Sequence, residues 1–148
     1  MRRVLYSAVA VLAAQSAHAQ GGTVVNVAES EEYGQYLTVN ELPVYLFTTD
    51  TQGTDGAEAA VSCTGECLDA WPLVTAESGS AAGDGAMSDM VGTMEHDGET
   101  VVTYNGWPLY HFARDSAGNP PNGQEIESFG GEWYLIGPDG ARIEGEGA

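Results

Sequence analysis

Two stretches of this chain repeat each other, and that repetition limits the folds it can adopt. Residues 36 to 53 (YLTVNELPVYLFTTDTQG) align without gaps on residues 101 to 118 (VVTYNGWPLYHFARDSAG), and seven of the eighteen positions are identical. An internal repeat of this kind indicates a duplicated supersecondary unit. We therefore expect repeat 1 (about residues 34–75) and repeat 2 (about residues 91–143) to share one architecture.

The residues shared by the copies are typical of strands and turns. Each copy has a Y-x-F-x-x-D pattern, formed by Tyr45, Phe47 and Asp50 in repeat 1 and by Tyr110, Phe112 and Asp115 in repeat 2. A Tyr and an Asp five positions apart on a strand point to opposite faces, so we do not expect them to converge on one ligand. Each Asp begins a D-x-x-G sequence, which predicts a type I turn whose first side chain bonds back to the chain. We interpret all six residues as structural, with buried tyrosine hydroxyls that need a partner.

Turn dipeptides predict the strand pairing of repeat 2. Asn105–Gly106 favours a type I′ hairpin, because both central residues of that turn need a positive φ. Asp97–Gly98 predicts a second two-residue turn. Together they predict a three-stranded meander over residues 91–96, 99–104 and 107–113, with Met94 opposite Val101, Tyr104 opposite Trp107, Val102 opposite Leu109 and Val101 opposite Tyr110.

Apolar residues alternate along these strands in a way that makes both faces of the meander apolar. Neither face can then lie open to water, and repeat 1 is the partner we expect to cover them. The predicted fold is mainly β: two tandem antiparallel hairpin or meander repeats in one small sandwich- or barrel-like domain. One short helix is expected around residues 66–70, at the C-x3-C turn, ended by Pro72.

The first nineteen residues have the pattern of a secretory signal peptide. Arg2 and Arg3 precede a short apolar run, and Ala17-His18-Ala19 is a small-x-small cleavage site. We expect cleavage after Ala19 and a periplasmic or secreted location for one domain formed by residues 20–148. The apolar run is too short for a comfortable membrane span. No cysteine lies near the cleavage site, so we expect no lipid anchor there.

The charge of the exported chain restricts its partners. Residues 20–148 contain two arginines and 22 acidic residues, a formal net charge of −20. Such a chain repels nucleic acids and anionic membrane surfaces and attracts cations or basic partners. An evenly acidic surface is also typical of proteins exposed to saline media, so charge alone does not define a site.

Cys63 and Cys67 are the only cysteines, in the sequence CTGEC. In an exported protein such a pair predicts a disulfide, whose role here would be to fix a local turn. A redox or copper role for the C-x3-C pair is the alternative. The C-x-x-C-H pattern of haem attachment is absent.

A second group of residues suggests metal binding. The segment MSDMVGTMEH contains Met94, Glu95 and His96, and His111 would lie across the middle strand from Glu95 with Thr100 between them. Thioether and imidazole ligands favour copper. The structural alternative places Met94 on an apolar face and His96 beside a turn. We therefore predict no cofactor as the first reading, and copper as the alternative.

The same residues resemble a known family. The motif Tyr45, Phe47 and Asp50, the stretches CTGECLDAWPLV, VTYNGWPLYHFARD and GGEWYLIGPDG, and NGQ (122–124) are similar to a secreted repeat family with a Y-x4-D motif, predicted lipoproteins with the Yx(FWY)xxD motif. The resemblance implies an exported repeat unit. It supplies no catalytic residues, and the lipid-bearing cysteine of many members is missing here.

Three function classes follow from the sequence. The first is a non-catalytic envelope module that binds an unknown envelope protein or a small ligand, because nucleophile, zinc-protease, haem and phosphate-loop motifs are absent. The second is a copper-binding or electron-transfer accessory protein of the periplasm. The third is an enzyme that uses the Cys63–Cys67 pair as a redox couple, for which no flanking base is present. We expect the first.

Overall fold

The computed structural model describes residues 22–54 and 56–144, and the predicted signal peptide lies outside them. Ten short strands account for most of the regular structure: β1 Thr23–Ser30, β2 Gly34–Val39, β3 Leu42–Pro43, β4 Tyr45–Phe47, β5 Ser80–Ala82, β6 Val91–His96, β7 Glu99–Tyr104, β8 Trp107–Pro108, β9 Ile126–Ser128 and β10 Gly131–Leu135. One short α-helix, α1 (Glu66–Ala70), lies where the sequence predicts it, and Ser88–Met90 form a 3-10 turn. The expectation of a mainly β domain is confirmed.

The strands form three small sheets. The first has the order β3-β2-β1-β5, the second β4-β10-β9, and the third β6-β7-β8. The second sheet joins the two repeats, because β4 of repeat 1 pairs with β10 of repeat 2. No barrel closes among the strands that the structure describes.

Both predicted hairpins of repeat 2 are present. Met94 pairs with Val101, and Tyr104 pairs with Trp107. Asn105 and Gly106 have φ values of 52° and 83°, as a type I′ turn requires. Repeat 1 makes the corresponding β2–β3 turn with Asn40 and Glu41, at φ 56° and 68°.

The predicted pairing of Val101 with Tyr110 is wrong, because another segment enters the hairpin there. Leu109 still donates its amide to Val102, but Val101 bridges Thr75, and Tyr110 bridges Leu73. The inserted segment, residues 73–75, comes from the end of repeat 1. Repeat 1 opens in the same way: Leu37 donates to Ile136, and Leu135 pairs with Tyr45.

Each repeat thus receives a strand from the C-terminal part of the other repeat. Residues 73–75 of repeat 1 complete the hairpin of repeat 2, and β10 with Ile136 of repeat 2 completes the hairpin of repeat 1. The two copies are interlocked through backbone hydrogen bonds. We call this arrangement the reciprocal exchange.

The alternation along the repeat strands sends neighbouring residues into two cores. One cluster contains Val44, Leu46, Val102, Tyr104 and Leu109 among its buried members. The other contains the intervening positions of the same strands, Tyr45, Phe47 and Tyr110, with Trp71 and Trp133. The expectation that neither face of the meander is open to water is confirmed.

A close approach of the two repeats explains Gly106. The amide of Gly53 donates to the Gly106 carbonyl at 2.7 Å, and a Cβ at position 106 would lie 1.9 Å from the Gly53 carbonyl oxygen. The equivalent contact in the other half, from the Gly118 amide to the Glu41 carbonyl, is 3.0 Å and accommodates a side chain. In each D-x-x-G sequence the amide of the glycine therefore bonds the loop of one repeat to the hairpin turn of the other repeat.

We expect Gly106→Ala to lower the free energy of unfolding by about 2–4 kcal/mol, from left-handed strain and overpacking together. Gly98→Ala is the matched control, because Gly98 has φ 82° against 83° for Gly106 but no atom within 4 Å of its added Cβ. The control is expected to cost about 1 kcal/mol. Urea unfolding measures both, and equal costs would contradict a close approach at Gly106.

Candidate functional site

The two motif tyrosines meet at the centre of the protein. The Tyr45 amide donates to the Tyr110 carbonyl at 2.8 Å, and the Tyr110 amide donates to the Tyr45 carbonyl at 3.0 Å. Both residues are fully buried. Because they are equivalent positions of the two copies, this pair of hydrogen bonds lies on a local pseudo-twofold axis.

The side chains of these tyrosines are exchanged in the same way as the strands. The Tyr45 hydroxyl donates to Oδ2 of Asp115 at 2.6 Å, and the Tyr110 hydroxyl donates to Oδ2 of Asp50 at 2.7 Å. Each tyrosine therefore bonds to the aspartate of the other repeat and not to the aspartate five residues away. We call these two pairs the Tyr–Asp clasps.

The second oxygen of each aspartate fixes a loop. Oδ1 of Asp50 accepts from the Ser62 amide and from the Ser62 hydroxyl, both at 2.8 Å. Oδ1 of Asp115 accepts from the Asn122 amide at 2.8 Å. Each carboxylate thereby ties the loop that follows it to the opposite repeat.

The predicted D-x-x-G turns are placed differently from our expectation. The Asp50 amide donates to Phe47, and the Asp115 amide donates to Phe112, so each aspartate closes a turn instead of opening one. Its side chain does not bond to the next three residues but to a loop position 7 or 12 residues further on. The tyrosine of the other copy occupies the remaining oxygen.

Burial governs the ionisation of the clasps. It raises the pKa of both Tyr45 and Tyr110, and the adjacent carboxylates raise these pKa values further. Burial also raises the pKa of Asp50, opposed by hydrogen bonds from Tyr110 and Ser62. The tyrosines are consequently neutral donors, and the Tyr45 hydroxyl also accepts the Gly123 amide at 3.0 Å.

A column of four stacked aromatic rings lies beside the clasps. Phe47 stacks on Trp133 at 3.8 Å between centroids, Trp133 on Trp71 at 3.9 Å, and Trp71 on Phe112 at 4.2 Å. Each phenylalanine therefore stacks on the tryptophan of the other repeat. Tyr45 and Tyr110 meet the tryptophans edge-on, at 5.3 and 5.0 Å. This column forms the centre of the second core cluster.

Cys63 and Cys67 are bonded to each other, which confirms the predicted disulfide. Both cysteines are buried, at 1% and 4% exposure. The disulfide joins Cys63, which precedes α1, to Cys67, the second residue of α1. Its local effect is to fix the turn that begins this helix.

The structure separates the residues predicted to bind copper. Glu95 pairs with Thr100 as expected, and its Oε2 accepts the Thr100 hydroxyl at 2.9 Å. The expectation that His111 lies on the other side of Thr100 is wrong: the Thr100 carbonyl accepts from Ala76, and the His111 amide donates to Pro72. The inserted strand of the reciprocal exchange lies between them.

The two histidines have different surroundings. Nδ1 of His111 lies 3.1 Å from the Pro43 carbonyl, and burial lowers the pKa of this imidazole. Nε2 of His96 is buried without a hydrogen bond and lies 3.6 Å from the Asp97 carboxylate. Met94 is half-buried on β6. Within residues 22–54 and 56–144, no three His, Cys, Asp or Glu side chains group around a common metal position, and copper binding stays a prediction.

Several residues that complete this centre were not predicted from the sequence, among them Ser62, Trp71 as a stacking partner, and Gly123. Gly123 has no room for a side chain, because an added Cβ would lie 2.9 Å from both the Trp71 and the Tyr45 rings. The NGQ sequence at 122–124 was a signal for this role. Ser62 has no counterpart signal in the sequence, since its contact depends on the path of the loop.

The fold and the clasps define a small, β-rich repeat protein in which two copies of one unit complete each other. Residues 91–136 match the model of a family described as a secreted repeat of unknown function, which confirms the predicted resemblance over this segment. No curated protein and no solved structure gives a significant match. In the part of the chain that the structure describes, no helix combines the length and the hydropathy needed to cross a membrane.

Proposed function

We propose that this protein is an exported, non-catalytic module that binds a positively charged partner or small ligand in the periplasm or outside the cell. The observation that carries the proposal is that the motif residues already have hydrogen-bond partners within the protein. Both tyrosines and both aspartates of the repeat are engaged with each other and with backbone amides. The duplicated motif therefore maintains the fold and leaves recognition to the surface.

Charge selects the class of partner. Residues 20–148 contain 22 acidic residues against two arginines, Arg114 and Arg142. The second arginine is already paired, because its Nε donates to Glu144 at 2.8 Å. A surface with this balance favours encounter with cationic groups and disfavours nucleic acid and anionic lipid. Absence of a free nucleophile in the clasps supports binding in preference to turnover.

A direct test compares purified mature protein, residues 20–148, with three blocked decapeptides composed of lysine, of glutamate, or of glycine and serine. Biolayer interferometry at low and at physiological salt should show binding of the lysine peptide alone, weakened by salt. Equal responses to the three peptides, or none to the lysine peptide, would overturn the proposal. Turnover of substrates in a hydrolase or oxidoreductase panel would overturn its non-catalytic part.

A further inference from the structure

A cleft of about 490 Å³ lies beside the Asp115 clasp, on one face of the first sheet. Its floor is formed by β1 and β2, where Asn26 pairs with Thr38 and Ala28 with Tyr36. Its wall is the loop at residues 118–120, which hydrogen bonds from Asn122 to Asp115 and from Gly118 to Glu41 hold in place. The volume is that of a small-ligand site.

Tyr36 lines this cleft and is only 6% exposed as a residue. Its hydroxyl is not one of the fully buried unpaired atoms of the described residues, which are His96 Nε2 and Ser128 Oγ. The hydroxyl is therefore open to the cleft, where a ligand atom can reach it. Burial raises the pKa of Tyr36, and the nearby Asp115 carboxylate raises it further, so the hydroxyl is neutral and lies in a negative field.

The other polar groups of the cleft are mainly oxygen acceptors. Glu41, Asn26 and Thr38 are polar residues of its lining. Glu29 also lines it, but alternation along β1 places the Glu29 side chain on the opposite face from Asn26 and Ala28. No Lys, Arg or His lines the cleft. An anionic ligand would therefore be repelled, whereas a donor-rich cation would find several partners.

A comparison of the two repeats singles out the same residues. Tyr36 aligns with Val101 and Glu41 with Gly106, so these two cleft residues lie where the copies differ, whereas Thr38 and Gly118 of the lining are shared. Glu41 has φ 68°, a left-handed conformation that favours glycine, and the other copy does carry glycine there. A strained non-glycine residue that lines a cleft is a candidate for function.

We infer that this cleft binds an ammonium or guanidinium group, with the Tyr36 hydroxyl as acceptor at the floor and Glu41 as counter-charge at the rim. The inference rests on the proposed function and specifies its site. The group can belong to a free diamine or to a lysine or arginine side chain of a partner. The Asp115 clasp acts on this site indirectly, because it positions the wall.

The experiment titrates full mature protein with agmatine, with the blocked tripeptide acetyl-Gly-Arg-Gly-amide, and with its neutral analogue in which citrulline replaces arginine. Calorimetry should detect the two cations and not the citrulline peptide. Tighter binding of the tripeptide assigns the site to a partner protein's side chain, and tighter binding of agmatine assigns it to a free amine. Both outcomes support a cation site.

Three variants locate the binding. Tyr36→Phe and Glu41→Gln should each weaken the preferred cation about 10-fold. Glu77→Gln, an exposed glutamate outside the cleft, is the charge-matched control and should leave the affinity within about 2-fold. Glu41→Gly separates folding from binding, because it relieves the left-handed strain and should bind weakly while unfolding at an equal or higher urea concentration.

The outcomes also separate this inference from the proposed function. If the cations bind but Tyr36→Phe and Glu41→Gln behave like Glu77→Gln, the cleft is the wrong site while cation recognition stands. If neither agmatine nor the arginine tripeptide binds while decalysine does, the single-group cleft is overturned and a distributed acidic surface remains. If no basic probe binds, both proposals fail.

Discussion

Trp133→Ala is expected to lower the free energy of unfolding by about 3–5 kcal/mol, the range for deleting a large buried aromatic side chain. Trp133 is fully buried and stacks on Phe47 and Trp71 at 3.8 and 3.9 Å, so alanine would leave a cavity in the middle of the ring column. Small domains have total stabilities of about 5–15 kcal/mol, so much of the protein would unfold in mild denaturant. Urea unfolding followed by far-UV circular dichroism measures the loss without using tryptophan fluorescence.

The pseudo-symmetry of the column supplies the comparison for this prediction. Trp71→Ala should cost a similar amount, because Trp71 has the equivalent position and stacks on Phe112 at 4.2 Å. Trp107→Ala is the control: this tryptophan is half-buried and lies against the edge of the other cluster, so it should cost clearly less. A loss below about 1 kcal/mol for Trp133→Ala would show that the column is not central to stability.

The sequence predicts the local parts of this fold because local residues decide them. Asn105–Gly106 and Asp97–Gly98 determine two turns, and the turns determine the register of three strands. Alternation then determines which residues enter each core. The helix at Glu66–Ala70 follows from the spacing of the cysteines and the proline after it.

The reciprocal exchange could not be predicted from local residues. A strand of the same repeat and a strand of the other repeat offer the same backbone hydrogen bonds. In repeat 2, Val102 can pair with Leu109 of its own hairpin or accept the strand of the other copy, and it does both through different backbone atoms. No residue of the hairpin indicates whether the strand of its own repeat or that of the other repeat will pair there. The offset between the two tryptophans, 62 residues against 65 for the motif, shows only that the two segments are equivalent.

The candidate site also combines features that local residues predict with features that depend on how the two repeats pair. Opposite parity on the strand indicated that Tyr45 and Asp50 would not act together, but it could not indicate that each finds its partner in the other repeat. The cleft was missed for a different reason. The positions that the two repeats share identify the residues that hold the fold. Tyr36 and Glu41 lie at positions where the repeats differ.

The Tyr–Asp clasps are expected to be coupled pairs of unequal strength. Double-mutant cycles at pH 7 with Tyr110→Phe and Asp50→Ala should give a coupling energy of about 2 kcal/mol, within the range for contacting residues in one network. The cycle with Tyr45→Phe and Asp115→Ala should give a smaller value, because Asp50 is only 7% exposed while Asp115 is partly exposed. Urea unfolding of the seven proteins provides both cycles.

Removal of both carboxylates tests whether the motif carries the fold. Asp50→Ala leaves the Tyr110 hydroxyl and the Ser62 amide unpaired, and Asp115→Ala does the same to Tyr45 and Asn122. Asp50→Ala should cost about 3 kcal/mol, because buried donors lose a charged acceptor, and Asp115→Ala should cost about 2 kcal/mol, because Asp115 is partly exposed and Asn122 is exposed. The combined variant should lose about 5 kcal/mol if the sites are independent, which equals the whole stability of the least stable small domains. A folded double variant that still binds the arginine tripeptide would mean that the shared aspartates are maintained for some purpose other than the architecture, because the loops would then hold their positions without them.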